Sequence, residues 1–322
     1  MLIMDGLEIK KLALGGQEFI KKPEITDYWD FYVGTIIYDI ALSSDENYLY
    51  IFYSTGIQKV DRKGKLVWTY KYLGSSNINV GTATSDGYVL FADNDKLYSL
   101  KDNGQDVSYF NSVGFGNRVT ALAADVSTKT YVGLSQSDVI LYDMSNKNSQ
   151  GINTLFTVEN SSYRVTSLCL NNDFLIATSS SGKILRYYLN TKNYKNAYPF
   201  TGTVSNDTNV FASVSGNQII CSNGTSGELV LLDADLNILK KKTTNISAFK
   251  SCLLVNGYIY ANSLNSSSST YSVHKFDLDF NMLMYKIYST DNVSNLVYSE
   301  KDDALYMSHN TYYTGKFSTY FA

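Results

Sequence analysis

Along most of the chain, apolar residues alternate with polar ones in short runs, and clusters of Gly, Asn, Asp and Ser separate these runs. A period of two is typical of β-strands with one buried face, and the polar clusters are typical of turns between strands. The runs recur in groups of four. The pattern therefore predicts an all-β chain of many short antiparallel strands.

Two central groups show the repeat most clearly, because Arg118-Val119-Thr120 and Arg164-Val165-Thr166 open them in the same way. Their predicted strands cover residues 118–125, 129–136, 138–145 and 153–160, then 164–171, 173–180, 182–190 and 197–204. Five further groups follow in both directions. We predict that the seven first strands begin near Ile36, Ile78, Val119, Val165, Val210, Phe249 and Val293.

The spacing of these first strands, 39 to 46 residues, is typical of a propeller blade of four strands. One blade cannot bury both faces of its sheet, so blades must stack around an axis. The sequence therefore predicts a seven-bladed β-propeller of four-stranded antiparallel blades. Most third strands end in an Asp that we expect to cap the turn into the fourth strand, namely Asp61, Asp143, Asp233 and Asp277.

The last group supplies only three strands, so its outer strand must come from elsewhere. Residues 1–35 contain spare strand-forming runs at 18–22 and 30–34. We predict that one N-terminal strand pairs with residues 315–322 and completes blade seven, which removes an exposed sheet edge. The remainder of 1–35 is predicted to be a hairpin-like attachment element with its turn at Gly15-Gly16, and 36–322 to be the propeller.

Composition and charge narrow the function. A net charge of −3 and a pI of about 5.5 do not provide the basic surface that nucleic-acid binding requires. No apolar run has the ~18 residues of a membrane helix, and the N-terminal residues lack the order of a signal peptide. Cys169, Cys221 and Cys252 lie in apolar stretches, and we expect buried free thiols rather than metal ligands or disulfides.

Residues 61–70, DRKGKLVWTY, resemble the strand–turn–strand unit of quinoprotein-like propellers, in which Asp, Gly and Trp recur. Residues 233–241 and 277–285 repeat this unit loosely. The resemblance implies a propeller of the quinoprotein-like or WD-like kind. It implies no quinone cofactor, since we expect the second tryptophan, Trp29, to lie outside the blades.

Residues 5–19, DGLEIKKLALGGQEF, resemble a short module of tail proteins from bacteriophages that infect Gram-positive hosts. Ala13 stands where that module commonly has an aromatic residue. The resemblance implies a virion protein of the tail or baseplate. Its partners would be other tail or baseplate proteins and a host cell-surface glycan, and the assembly would set its oligomeric state.

No set of residues predicts catalysis, a cofactor or a metal. His274 and His309 lie on strands of different blades without acidic partners at ligand spacing. Acidic pairs fall where hairpins turn, and they lack the later ligands of a calcium loop. These pairs are Asp93 with Asp95, Asp233 with Asp235, and Asp277 with Asp279. We expect a protein that is not an enzyme.

Exposed aromatic and basic residues are the candidate contacts with a ligand or partner. Tyr194 in TKNYKN and Tyr312-Tyr313 in HNTYYTGK fall in predicted polar loops, where tyrosine rings can stack on sugars. Lys240-Lys241-Lys242 lie on a predicted outer strand. Lysine there discourages edge pairing, and contact with an anionic polymer is the second interpretation.

Three functions are consistent with these features. The first is a non-enzymatic virion protein, structural or host-adhesive, which is made in the host cytoplasm and presents a propeller face to protein or glycan. The second is a protein-interaction scaffold in the bacterial cytoplasm. The third, an enzyme acting on polysaccharide, requires a converging carboxylate pair that no pattern in the sequence singles out.

Overall fold

The alternating runs form strands, and the computed structural model arranges 28 of them in seven four-stranded antiparallel sheets. The part of the chain that the structure describes contains no helix. The described residues are 3–4, 7–8, 11–14, 17–20, 29–74, 76–103, 107–108, 115–126, 129–142, 153–201, 210–246, 249–265, 270–288, 295–309 and 313–318. The predicted fold class is confirmed.

Five strands precede the first complete blade: β1 Ile3–Met4, β2 Leu7–Glu8, β3 Lys11–Leu14, β4 Gln17–Ile20 and β5 Trp29–Tyr32. Blade 1 is β6 Ile37–Leu42, β7 Tyr48–Tyr53, β8 Gly56–Asp61 and β9 Leu66–Lys71. Blade 2 is β10 Ile78–Ala83, β11 Tyr88–Asp93, β12 Lys96–Lys101 and β13 Val107–Ser108. Blade 3 is β14 Val119–Ala124, β15 Thr130–Leu134, β16 Asp138–Tyr142 and β17 Asn153–Thr157.

Blade 4 is β18 Val165–Leu170, β19 Phe174–Ser179, β20 Ile184–Tyr188 and β21 Tyr194–Ala197. Blade 5 is β22 Val210–Ser215, β23 Gln218–Asn223, β24 Glu228–Asp233 and β25 Ile238–Thr243. Blade 6 is β26 Phe249–Val255, β27 Tyr258–Asn265, β28 Thr270–Phe276 and β29 Met282–Tyr288. Blade 7 is β30 Leu296–Ser299, β31 Ala304–His309, β32 Tyr313–Ser318 and, outermost, β5.

Six of the seven first strands begin within one residue of the predicted start. The seventh, β30, begins at Leu296, whereas the predicted start at Val293 lies outside the described residues. The predicted outer strand of blade 4 at 197–204 is wrong, since β21 covers 194–197. Its hairpin closes early because Tyr188 N donates to Asn193 O, with Lys192 in the left-handed region at φ 58°.

The ring closes through the N-terminal strand, as the sequence predicts. β5 pairs antiparallel with β32, so that Tyr32 lies opposite Tyr313 and Trp29 opposite Lys316. The expectation that Trp29 lies outside the blades is therefore wrong. Upstream, β3 pairs with β4, with Leu14 opposite Gln17, on either side of the predicted turn. The division of the chain at residue 35 remains a prediction.

Blade packing explains where the apolar residues go. In the described part of the chain, seven clusters of buried apolar side chains each lie between two neighbouring blades. The cluster between blades 7 and 1, for example, packs Tyr306 against Ile51 and Val60. Each blade is thus a layer whose two faces are covered by its neighbours, which is the arrangement that a single blade cannot achieve alone.

The predicted turn role of the third-strand aspartates is confirmed for three of the four. Asp61, Asp233 and Asp277 each accept two backbone N–H hydrogen bonds across the turn into the fourth strand, at 2.8 to 2.9 Å. Asp143 lies outside the described residues. Leu236 and Phe280 occupy the left-handed region in two of these turns, and their burial holds them there.

Buried cations recur at one position of the third strand, two residues before the turn. They are Lys59, Arg186, Lys275 and Lys316 in blades 1, 4, 6 and 7. Three of them stack on aromatic rings, with Lys59 Nζ 3.7 Å from the Tyr48 centroid. Lys59 and Arg186 also cross to the next blade, where they pair with Asp102 at 2.6 Å and Asp235 at 2.8 Å. Lys59 and Arg186 therefore tie neighbouring blades together.

Candidate functional site

The seven first strands line an axial channel. Its cavity holds about 340 Å³ and is bounded by residues from every blade. Neighbouring inner strands contact each other around the axis, including β30 with β6 where the ring closes. The channel is therefore a feature of the whole ring, which no single repeat of the sequence could reveal.

Five of the inner strands carry a β-bulge close to their start. The register shifts leave one residue of each strand without a cross-strand partner, and a bulge re-aims the side chain it contains. These residues are Tyr38, Asn79, Thr120, Thr166 and Lys250. Two of them, Thr120 and Thr166, are the threonines of the repeated Arg-Val-Thr motif. The motif by itself does not predict a bulge. All of these residues except Lys250 line the channel, so the bulges bring polar side chains to it.

Asp39 is the one carboxylate among the described residues that line the channel. Its oxygens accept hydrogen bonds from Gly81 N at 3.0 Å, Ile40 N at 2.9 Å and Asn295 Nδ2 at 2.6 Å. Burial raises the pKa of Asp39 to about 7, although these three donors act in the opposite direction. It was missed in the sequence because YDIAL reads as an ordinary strand.

A second cavity of about 470 Å³ opens between blades 3 and 4. Its lining combines leucine side chains with Tyr131, Asp125, Lys129 and three asparagines. Tyr194, on the outer strand of blade 4, is 62% exposed. It lies opposite Tyr187, which packs against Phe156 of blade 3, so Tyr194 is on the face of its blade that is turned towards blade 3.

The other predicted contact tyrosines are placed differently. Tyr313 is half-buried at the start of β32 rather than in a loop, and its ring lies 5.0 Å from that of the exposed Tyr32. Tyr312 lies outside the described residues. Because Tyr32 and Tyr313 face each other across the closing strand pair, their contact joins the two ends of the ring. Ligand contact by these tyrosines remains a prediction.

Lys240, Lys241 and Lys242 lie on the outer strand of blade 5, as predicted. All three amines contact neighbouring groups of the protein. Lys240 pairs with Asp279 and Lys242 donates to Phe280 O at 2.8 Å, both in blade 6. Lys241 donates to Pro199 O at 2.7 Å and lies 3.0 Å from Glu228. The cluster therefore fastens blade 5 to its neighbours, and contact with an anionic polymer remains a prediction.

The outer strand of blade 6 carries four large apolar side chains that are exposed. We call them the outer-edge patch, and they are Met282, Leu283, Tyr285 and Ile287. Met282, Tyr285 and Ile287 are 52, 57 and 58% exposed. β29 pairs with β28 along one side only and ends its sheet. An apolar surface and an open backbone edge thus coincide.

The cysteine and histidine placements favour structural roles. The three thiols are free; Cys221 and Cys252 are buried, whereas Cys169 is half-buried. Burial raises the pKa of Cys169 and of Cys252 to about 12, so neither is a reactive thiolate. His274 is buried against the hydroxyls of Ser263 and Ser272, at 3.0 and 2.7 Å from Nε2.

The acidic pairs lie in turns, as the sequence predicts for Asp233 with Asp235 and for Asp277 with Asp279. Asp93 is buried and accepts a hydrogen bond from the Tyr72 hydroxyl. Over the described ranges, no group of three or more His, Cys, Asp or Glu side chains is arranged to hold a metal ion. The same ranges contain no helix long and apolar enough to cross a membrane.

No protein-family model and no curated protein sequence matches the chain. Solved propellers match it in structure. BamB from Moraxella catarrhalis is 14% identical over 89% of this chain and 84% of that one, with a TM-score of 0.61. The computationally designed Ika8 protein is 13% identical over 89% and 98%, with a TM-score of 0.62. A chain of the mitotic checkpoint complex is 11% identical over 96% and 99%, with a TM-score of 0.74.

These identities are low enough that the likeness shows the fold alone. The chain is a seven-bladed propeller, a fold typical of protein-interaction scaffolds, in which a rigid ring carries the surfaces that bind partners. Function must therefore be argued from the surfaces of this ring.

Proposed function

We propose that this chain is a non-enzymatic propeller that binds a partner protein along the outer-edge patch of blade 6. The observation that carries the proposal is the coincidence of exposed apolar side chains with an unpaired strand edge on β29. Large exposed apolar surfaces mark interaction sites, and a free edge accepts a further strand.

The occupant that fits this surface is an extended segment of a partner protein. Met282, Tyr285 and Ile287 lie opposite Phe276, His274 and Ser272 of β28. Since Phe276 packs in the cluster between blades 5 and 6, these exposed side chains face blade 5.

A strand that pairs with β29 would satisfy the open backbone groups and cover this row with alternate apolar side chains.

Photo-crosslinking in an extract of the source organism tests this surface. A benzoylphenylalanine at position 285 should crosslink to one partner protein, while the same group at position 198, which follows the outer strand of blade 4 and is similarly exposed, should not. The partner crosslink should disappear when Ile287→Lys is added. Equal crosslinking at both positions would contradict the proposal, and a crosslink to a second copy of this chain would replace the partner by self-association.

We further propose that the partner belongs to a bacteriophage tail or baseplate, so that the chain is a structural or host-adhesion protein of the virion. The module-like residues 5–19 support this context, together with the short pairings β1–β2 and β3–β4 that precede the closing strand. Immunogold electron microscopy with antibody to this chain should label tails or baseplates. Label confined to the cell body would favour the intracellular bacterial scaffold instead.

A further inference from the structure

The axial channel carries a carboxylate that is held by neutral groups alone. Asp39 accepts hydrogen bonds from two backbone amides and from the side-chain amide of Asn295. No lysine, arginine or histidine is among the described residues that line the channel. Carboxylates that proteins enclose are ordinarily paired with a cation. Asp39 is therefore suited to attract a positively charged group into the channel.

The carboxylate retains the capacity to bind such a group. A carboxylate offers about four lone-pair sites, of which the three hydrogen bonds use three. Oδ1 accepts from Ile40 N and Asn295 Nδ2, whereas Gly81 N is the one described donor to Oδ2. Asp39 is half-buried rather than fully enclosed, and it lines the cavity. Its Oδ2 can thus accept one further, charge-assisted hydrogen bond.

Hydroxyl groups around the channel add further acceptors. Thr120 and Thr166 donate their protons to backbone carbonyls at 3.1 and 2.7 Å, and Ser251 donates to Asn262 Oδ1 at 2.9 Å. Because these protons are already committed, the remaining lone pairs of the three hydroxyls can only accept. An ammonium group has three donors and no acceptor, so it matches a lining of this kind.

The rest of the lining is apolar and suits an aliphatic stem. It includes Leu122, Leu168, Phe211 and Leu253, and the cavity of about 340 Å³ is as large as the ~300 Å³ of small-molecule sites. A calcium ion would fit less well, because it takes about six to eight oxygen ligands and prefers several carboxylates. The lining therefore favours an organic cation over a metal ion.

We infer that the axial channel binds a primary ammonium group on an aliphatic stem, with the ammonium at Asp39 Oδ2. This chemistry has two sources, a free alkylamine or a lysine side chain that a partner protein inserts into the channel. The inference does not depend on the outer-edge patch, which lies on the outermost strand of blade 6.

Calorimetric titration of the full chain at about pH 8 and constant ionic strength tests the inference, since Asp39 is largely ionised there. One arm uses n-butylammonium chloride and the other acetyl-glycyl-lysyl-glycine amide, which carry the same stem. Saturable binding of at least one probe is expected. Butan-1-ol, the neutral analogue, should bind at least about tenfold more weakly than n-butylammonium, the equivalent of one charge-assisted hydrogen bond.

An isosteric variant tests the role of the carboxylate. Asp39→Asn keeps the size of the side chain but removes its charge, and it should weaken the binding of either ammonium probe at least about tenfold. The control Asp173→Asn removes an exposed carboxylate outside the channel lining and should leave the affinity unchanged.

Proton release provides a second measurement that needs no variant. Burial raises the pKa of Asp39 to about 7, so at that pH an ammonium that binds should displace about half a proton per site. Titrations in phosphate and in MOPS, which differ in heat of ionisation, measure this release. The ammonium keeps its own proton at this pH, and the other titratable groups of the lining, Tyr38 and Cys252, are a phenol and a buried thiol.

Tighter binding of n-butylammonium identifies a free amine as the ligand, and tighter binding of the peptide identifies a partner's lysine; both support the site. Absence of binding in both arms overturns the inference. Equal affinity for butan-1-ol, binding that Asp39→Asn leaves unchanged, or binding without proton release overturns it as well. Two of these measurements use the unmodified chain, so the test is decisive even where Asp39→Asn does not fold.

Discussion

The indole Nε1 of Trp29 donates a hydrogen bond to the carbonyl oxygen of Arg62 at 2.8 Å, and so joins the closing strand of blade 7 to a turn of blade 1. Trp68 of blade 1 repeats the contact one blade further on, donating to Asp102 O at 2.9 Å. Both tryptophans lie opposite a buried third-strand lysine. The chain's two tryptophans therefore perform the same structural task at neighbouring blade interfaces.

This equivalence predicts how much stability is lost when either tryptophan side chain is removed. Trp29→Ala should lower the free energy of unfolding by about 3 kcal/mol, because it deletes a half-buried aromatic contact with Tyr306 and the hydrogen bond to Arg62. Trp68→Ala is the matched control and should cost a similar amount. Urea denaturation followed by circular dichroism measures both. A cost below about 0.5 kcal/mol for Trp29→Ala alone would place Trp29 outside the ring.

The ion pair between Lys59 and Asp102 should be strongly coupled. The lysine side chain is 6% exposed, so Asp102→Asn leaves a buried charge without its partner and should cost about 2 kcal/mol. A double-mutant cycle with Lys59→Met should give a coupling energy of about 1 to 2 kcal/mol.

The exposed pair of Lys240 and Asp279 provides the comparison. A cycle with Lys240→Met and Asp279→Asn should give less than about 1 kcal/mol, since solvent screens both groups. Equal coupling energies in the two cycles would show that burial does not decide the strength of these inter-blade contacts.

His274 should make the fold sensitive to acid. Burial lowers the pKa of His274 to about 4, below the 6.5 of the unfolded chain. Between these values the unfolded state binds the additional proton, so stability falls as the pH falls from 6.5 towards 4. The stability difference between the native chain and His274→Gln should shrink by up to about 3 kcal/mol over that window. A difference that does not change between pH 4 and 7 would contradict the assignment.

Asp39 should make the stability of the fold depend on pH in the opposite direction to His274. The pKa of Asp39 is about 7 in the fold and ordinarily 3.8, so the folded state holds the additional proton between these two values. Its contribution is fully present below pH 3.8 and is lost as the pH rises through 7. Relative to Asp39→Asn, the native chain should therefore lose up to about 4 kcal/mol between pH 4 and 7. An unchanged difference would mean that solvent enters the channel and removes the desolvation.

The strand pattern predicted the ring because alternation and turn residues act locally. Val119 and Val165 begin their blades where the repeat places them, and the aspartates at 61, 233 and 277 cap the turns. A lysine stands two residues before both Asp61 and Asp277 in the sequence. This repeat indicates the buried cations of the third strands, Lys59 and Lys275.

The candidate site was harder to predict, because it depends on which blades become neighbours. Alternation alone cannot show that Met282 and Ile287 remain exposed, since the same pattern is buried in an inner strand. The hydrogen bond from Asn295 to Asp39 likewise depends on closure of the ring, since Asn295 immediately precedes β30 and Asp39 lies on β6. The sequence predicts a loop at Tyr194 because Asn and Lys residues surround it. In the structure the hairpin closes at Asn193, so Tyr194 is the first residue of β21.

Amide hydrogen exchange across Met282–Tyr288 tests the binding account most directly, once the crosslinked partner has been purified. In the free chain, the N–H groups of β29 that do not pair with β28 should exchange rapidly. The account predicts that the partner slows them at least about tenfold, because a new strand accepts their hydrogen bonds. Unchanged exchange along β29, with protection elsewhere on the ring, would contradict the proposed docking edge.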